Sequence, residues 1–188
     1  MKDISLHLTD IIQNSVTAKA GRIKVIIDAD QAKDCLKIIV SDDGSGMDKE
    51  LLAQVTNPFV TTRTTRKVGL GISLFKASAE EAGGKLEIRS EKGKGTELEV
   101  SFRISSIDRI PLGDIPETVI STILSNPDIQ VELILNSNKE SFSFNSSEVK
   151  EKLGEVPITE YNVLAWIKEF VNEGIKITFG GVLDEIYS

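Results

Sequence analysis

The chain is poor in several kinds of residue. Cys35 is the single cysteine among 188 residues, so no disulfide can form within it and packing must hold the fold. It has one histidine, His7, one tryptophan, Trp166, and only 5% aromatic residues. Apolar runs such as 25–27 and 133–135 fall far short of the about 20 residues that a membrane-spanning helix needs. The start, Met1-Lys2-Asp3-Ile4, shows no apolar stretch ahead of a cleavage site, so no signal peptide is expected. Neither a P-loop nor a dinucleotide-binding glycine fingerprint is present. These absences exclude a disulfide scaffold, a helical membrane span and two common nucleotide folds. A lone, strand-type cysteine suits a reducing cytoplasm.

What is there is a globular composition, 40% hydrophobic and 27% charged. The net charge of −7 is unevenly placed. Residues 105–188 hold 14 Asp/Glu against 6 Lys/Arg, a balance of −8, which leaves +1 for residues 1–104. The acidic half lacks the basic face that phosphate backbones require, so nucleic acid is not the expected partner. A solvated acidic surface is its plainest meaning.

Periodicity supplies a coarse map. Ile4, Leu8, Ile11, Ile12 and Val16 recur on one helical face, with Asp3 as N-cap and Gly21 as the stop. Ile23, Val25 and Ile27, then Leu36, Ile38 and Val40, alternate as two strands. A short helix is expected near 49–55, a loop over 56–68, and a helix over 71–82 ended by Gly83-Gly84. Residues 85–90 and 96–104 form a hairpin around a glycine-rich turn. Beyond a connector at 105–111, the pattern predicts a helix over 116–124, a hairpin of 130–135 with 141–144, and helices near 147–153 and 159–171. Val163, Trp166, Ile167 and Phe170 share one face of the last helix and read as a packing face. The chain therefore divides into 1–104 and a small α/β C-terminal lobe, 105–188. The hairpin of that lobe could extend the first sheet or present an edge to a partner.

Four features carry chemistry. Asp10 and Asn14 lie one helical turn apart on one face. An amide oxygen is a hard ligand suited to Mg²⁺ beside phosphates, and a carboxylate one turn earlier can orient or deprotonate an attacking group. Asp42-Asp43-Gly44-Ser45-Gly46-Met47 follows a strand; its glycines permit a turn and close approach of a flat ligand, and Asp42 can accept from an exocyclic amine. The loop 58–67 holds four threonines, including Thr62, and three cations, Arg63, Arg66 and Lys67, a set able to face phosphates. Gly69-Leu70-Gly71 opens a helix whose N-terminal N–H groups can meet an anion. Each alone is compatible with a solvated face, an ordinary turn or a basic loop. Their order from residue 10 to residue 96 is what makes them informative.

In that order the chain resembles the GHKL superfamily of gyrase, heat-shock chaperones, histidine kinases and mismatch-repair ATPases. Asn14 matches the N-box asparagine, Asp42-x-Gly44-x-Gly46 the first glycine box and Gly69-x-Gly71 the second. Pro58-Phe59 and Thr61-Thr62-Arg63 look like the segment before the ATP lid, and 82–88 with 90–96 like the closing hairpin. The resemblance spans about 3–104. It implies a two-layer α/β sandwich, a mixed sheet covered on one face by helices, that binds ATP and Mg²⁺. Asn14 would ligate Mg²⁺. Asp42 would hold the adenine amine with Thr96 beside it, and Gly44, Gly46 and Met47 would line the base. Gly69, Leu70 and Gly71 would meet the phosphates, with Thr62, Arg63 or Lys67 closing over them.

Position 10 bears on the activity. Hydrolytic members and the anti-sigma serine kinases carry a glutamate base four residues before the N-box asparagine, where many histidine kinases have an amide. Asp10 keeps the charge and is one methylene shorter, so it is the expected catalytic base. The N-box helix begins within a few residues of Met1, leaving no room for the dimerising hairpin of a histidine kinase, and His7 is not expected to be a phospho-acceptor. The expectation is thus a stand-alone cytoplasmic protein kinase, of histidine-kinase-like or serine-kinase-like type, acting on a partner protein. The alternatives are a slow ATPase that switches a partner and a non-catalytic nucleotide sensor. No nucleic acid or membrane is expected, and a homodimer is compatible with the reading.

Overall fold

Alternation builds the sheet. In strand β1 (Arg22–Asp30), Ile23, Val25, Ile27 and Ala29 are buried; in β2 (Cys35–Asp42), Leu36, Ile38 and Val40 are. The computed structural model describes residues 3–56, 70–180 and 183. Its other elements are α1 (Ile4–Thr17), α2 (Lys49–Thr56), α3 (Leu70–Glu81), β3 (Lys85–Glu91), β4 (Gly95–Arg103), α4 (Ile115–Ser125), β5 (Gln130–Ser137), β6 (Ser141–Asn145), α5 (Ser146–Leu153) and α6 (Tyr161–Phe179). The expected loop 56–68 lies almost wholly outside the described residues.

The strands form one mixed sheet in the order β3-β4-β2-β1-β5-β6. All neighbours are antiparallel except β1 and β5, which run parallel over eight paired positions from Arg22↔Gln130 to Ala29↔Ser137. The hairpin β5–β6 therefore extends the sheet that residues 1–104 begin. Helices cover one face, with α3 over β3 and β4, α1 on β2, and α4 and α6 on β5. Their shared core includes Phe75, Phe102, Ile115 and Leu133, all fully buried. Each such side chain contributes roughly 1.5–3 kcal/mol of transfer free energy. The expected two-layer sandwich is the fold observed.

The other face is wet. Lys24 pairs with Glu132 at 3.3 Å and Lys37 with Glu99 at 3.4 Å, both across neighbouring strands. Such pairs add about 0–1 kcal/mol each, but they fix which face meets water. A half-buried isoleucine row, Ile39, Ile26 and Ile134, crosses β2, β1 and β5 in register on that face.

Caps agree with the sequence. The Asp3 carboxylate accepts from the Leu6 N–H at 3.0 Å, and that of Asp114 from the Glu117 N–H at 2.9 Å with Pro116 in the first turn. The end of α1 differs from expectation. It closes before Gly21, with Lys19 in the left-handed region (φ 59°) and the Ala20 N–H bonded to the Ser15 carbonyl.

The last helix is longer than the apolar pattern implies, running to Phe179 rather than 171. Gly174 hides the continuation, because a mid-helix glycine reads as a stop. It is there for contact: a Cβ at Gly174 would sit 2.5 Å from the Phe142 ring, which also packs on Phe170 at 4.9 Å. Trp166 departs from the expected packing face. Ile167 is fully buried, whereas Trp166 is 50% exposed.

Gly174→Ala should therefore destabilise the protein. The helix-propensity gain of about 1 kcal/mol opposes an overpacking cost of about 1–3 kcal/mol, and the Phe142 ring is packed against Phe170 on one side. Urea unfolding is expected to show a lowered midpoint; an unchanged or raised midpoint would refute this account of α6.

Candidate functional site

Asp42 ends β2, and its register partner across the sheet is Thr96 on β4. One carboxylate oxygen accepts from the Ser15 hydroxyl of α1 at 2.7 Å, the other from the Gly44 N–H at 2.9 Å. A carboxylate has about four acceptor positions, so two remain for a further donor. Asp43, next in sequence, has another task. Its Oδ1 accepts from the N–H groups of Gly21 and Arg22, both at 2.8 Å, and so ties down the start of β1.

The loop after Asp42 is stapled to the β3–β4 hairpin. Ser90 accepts from the Met47 N–H at 2.8 Å, donates to the Gly95 carbonyl at 2.9 Å and meets the Thr96 hydroxyl at 2.9 Å. The Gly93 N–H donates to the Ser45 carbonyl at 2.8 Å. Gly46 has φ 61°, and a Cβ there would lie 2.0 Å from the Glu91 carbonyl oxygen. Both the backbone sign and the space demand glycine at this turn. Gly44 is buried against Ala18, and the Met47 side chain packs on the core.

Helix α1 brings the second group. Asn14 is half-buried, and its side chain makes no hydrogen bond among the described residues. Asp10 is exposed one turn earlier. It abuts the start of α3, since a Cβ at Gly71 would lie 2.8 Å from its Oδ2. The first turn of α3, from Leu70, thus stands beside Asp10, with its N-terminal N–H groups at that end.

Asp42, Gly44, Gly46, Met47 and Thr96 are thereby gathered at one place, and Asp10 and Gly71 at another, with Asn14 on the helix that serves both. Thr62, Arg63, Lys67 and Gly69 lie outside the described residues. Ser15 and Ser90 were not anticipated. Ser15 carries a legible signal, a hydroxyl on the buried stripe of α1 after Leu8 and Ile11 or Ile12. Ser90 likewise follows Leu86 and Ile88 on the inward side of β3.

The donors fit a magnesium nucleotide. A free carboxylate acceptor at a strand end suits an exocyclic amine, and an unpartnered amide on the adjacent helix suits a hard cation. No group of three or more His, Cys, Asp or Glu is clustered to hold a metal among the described residues. A cation here would therefore draw most of its ligands from phosphate and water, which is how Mg²⁺ is commonly held. Described cavities lie elsewhere, one of them a groove at the far edge of the sheet.

His7 sits behind this site, 1% exposed, with its ring stacked on Phe75 at 4.4 Å. Neither nitrogen has a partner at hydrogen-bonding geometry, although the Gly71 backbone lies near enough to favour its proton. Burial pushes the imidazole below its ordinary 6.5, while Gly71, Asp10 and Asp3 pull weakly upward. A ring so enclosed cannot reach an incoming phosphate.

The unfolded chain, with His7 at its ordinary value, takes up the proton first as pH falls. The stability that neutral His7 provides is therefore complete above pH 6.5 and is lost as pH falls through its lower folded value. Thermal unfolding of wild type should show a steeper fall from pH 7 to pH 5 than His7→Phe, which keeps the stack. Parallel profiles would remove His7 from the acid sensitivity.

Comparisons with known proteins agree with this geometry. The family model described as histidine kinase-, DNA gyrase B- and HSP90-like ATPase matches residues 2–106. A sensor protein of Shewanella frigidimarina is 34% identical over 103 residues, covering 54% of this chain and 16% of that protein. Sporulation kinase C of Bacillus subtilis is 33% identical over 97 residues, 52% of this chain and 22% of the kinase. An NtrY-like sensor histidine kinase of Rickettsia conorii is 28% identical over 109 residues, 57% and 18%. The matched stretch is thus about a sixth to a fifth of these relatives. Among solved structures, the N-terminal domain of a DNA repair protein superposes with a TM-score of 0.51 at 15% identity, covering 76% of this chain and 52% of that one. That likeness concerns the fold alone, and it is longer than residues 2–106 can supply. With its family model matched over more than half its length, the chain belongs to the histidine kinase-, DNA gyrase B- and HSP90-like ATPase family.

Proposed function

We propose that the chain binds ATP with Mg²⁺ and transfers the terminal phosphoryl group to a side chain of a partner protein. The observation that carries this reading is the Asp42 carboxylate, fixed by Ser15 and Gly44 with acceptor capacity to spare. In this reading Asp42 accepts from the adenine amine, with Thr96 beside it, and Gly44, Gly46 and Met47 line the base. Asn14 holds Mg²⁺, which supplies neutralisation of phosphate charge. Leu70 and Gly71 at the start of α3, with Gly69 before them, receive the phosphates, and Thr62, Arg63 or Lys67 closes over them.

Asp10 acts as the base. The attacking oxygen or nitrogen of the partner bonds to the γ-phosphorus as the bond from that phosphorus to the β–γ bridging oxygen breaks. The proton of the attacking group passes to Asp10, and ADP leaves. Relatives named as kinases support the phosphoryl-transfer reading. One feature favours slow hydrolysis instead: Asp10 is exposed and accepts no hydrogen bond among the described residues, so none of these holds it toward an acceptor. A loosely held base loses rate steeply, about 10²-fold per misplaced ångström.

A cytoplasmic setting accompanies this proposal, supported by the half-buried, unpaired Cys35. No helix among the described residues is long and apolar enough to cross a membrane.

Calorimetry with ATP-Mg²⁺ tests the pocket. Asp42→Asn should weaken binding by about 10- to 100-fold, the worth of one charge-assisted hydrogen bond, while Asp43→Ala lowers thermal stability and leaves affinity intact. Equal binding by wild type and Asp42→Asn would refute the assignment. Asp10→Ala should keep nucleotide affinity and abolish ADP formation. Turnover that survives it removes Asp10 as base, and binding without any turnover in wild type leaves a nucleotide sensor.

A further inference from the structure

At the end of the sheet opposite β3, strand β6 has β5 on one side and, among the described residues, no strand on the other. Between β6, α5 and α6 lies a groove of about 440 Å³ lined by Phe144, Val149, Leu153, Val163, Trp166 and Phe170. Trp166 stacks on Phe170, with centroids 5.1 Å apart and planes at 11°, yet is 50% exposed. Tyr161, at the start of α6, is 79% exposed. A recess of this kind, with a half-open tryptophan on its wall, is an interaction feature more than a core defect.

The charges around it are unbalanced in one direction. Elsewhere most of the described glutamates are paired: Glu80, Glu87, Glu91, Glu97, Glu99 and Glu132 each meet a lysine or arginine, and the exceptions, Glu50, Glu81 and Glu140, are scattered over separate segments. On α5, α6 and the turn between them, Glu148, Glu151, Glu155, Glu169 and Glu173 pair with none among the described residues. Glu148 lines the groove itself. Helical spacing puts Glu151 on the stripe through Glu148, and Glu169 and Glu173 on the stripe through Trp166. Two of the nearby lysines are engaged away from the groove, Lys150 on the Pro127 carbonyl and Lys168 on Glu117 at 2.8 Å. Lys152 is the cation that remains on the lining.

We propose that this groove is a docking site for a basic segment of a partner protein. The segment places a large apolar side chain against Trp166 and its lysines or arginines against Glu148, Glu169 and Glu173. The open side of β6 offers backbone N–H and C=O groups alongside the groove for an extended stretch of the same segment. Apolar contact supplies affinity, and the uncompensated carboxylates select charge and hasten encounter. The site does not depend on the nucleotide reading, since it lies at the other end of the sheet.

Trp166 is the chain's sole tryptophan, so its emission reports the groove directly. The full chain is titrated with a short alternating Lys-Leu peptide, an alternating Glu-Leu peptide and oligolysine. The Lys-Leu peptide should give a saturable blue shift and bind about tenfold or more tightly than either control, each factor of ten being about 1.4 kcal/mol. With a labelled peptide read by anisotropy, Trp166→Ala and the double variant Glu169→Lys, Glu173→Lys should each weaken binding about tenfold. Charge reversal at the remote, exposed Asp108 should not. Equal binding of the Glu-Leu peptide overturns the proposal, as does Lys-Leu binding that ignores both groove variants. A blue shift that tracks dimer formation in sedimentation makes the occupant a second copy. One produced by phosphatidylcholine vesicles and not by peptide makes it a lipid surface. Either result overturns a basic partner segment.

Discussion

Three stretches of chain converge at Asp42: its carboxylate takes the hydroxyl of Ser15 from α1 and the N–H of Gly44 from the loop that follows, and its backbone faces Thr96 of β4 in register. The rest of the site depends on that meeting. Ser15 adds a polar tie to the buried stripe of Ile4, Leu8, Ile11 and Ile12 that orients α1, and Asn14 and Asp10 stand on the same helix. Gly44 sets the path of the loop, which Ser90 then fastens to the hairpin. A charge-assisted bond between a helix and a strand end, part-buried here, is worth more than its neutral counterpart.

Much of this was legible in the sequence. The two-residue alternation of β1, β2 and β4 and the helical repeat of α1 are local signals, and the observed burial follows them. Asp42, Gly44 and Gly46, an ordinary turn by themselves, could be singled out because they follow Asn14 and precede Gly69-Leu70-Gly71 in a fixed order. The task of Asp43 was not legible, since only the fold reveals that it faces the start of β1. Ser15 and Ser90 escaped notice because a hydroxyl inside an apolar pattern reads as a small filler until its partner is known. The parallel pairing of β1 with β5 leaves no local trace at all, joining positions more than a hundred residues apart. The extension of α6 beyond residue 171 left a weak trace for a different reason: Gly174 carries no apolar signal, and its neighbour Phe142 explains its presence.

The two ends of the sheet differ in their chemistry. At the β2 end polar groups converge on one another with acceptor capacity left over, which suits a polar ligand of defined shape. At the β6 end apolar side chains stand half-open among carboxylates that pair with no described residue, which suits a longer, looser ligand. Both ends share one sheet and one hydrophobic core. His7 and Phe75 stiffen the seam between α1 and α3 behind the first. Phe142 and Phe170 do the same between β6 and α6 behind the second.

The central place of β1 has a consequence for heredity and for protein engineering. The stretch that matches the family model ends at residue 106, yet β1 inside it is flanked by β5 from outside it. Cutting the chain where the family match stops would turn a strand buried in mid-sheet into a raw edge of eight residues, open to pairing with any other chain. A chimera that transplants the nucleotide half must bring its own cover for that edge. The two halves thus travel most safely together, however differently their surfaces evolve.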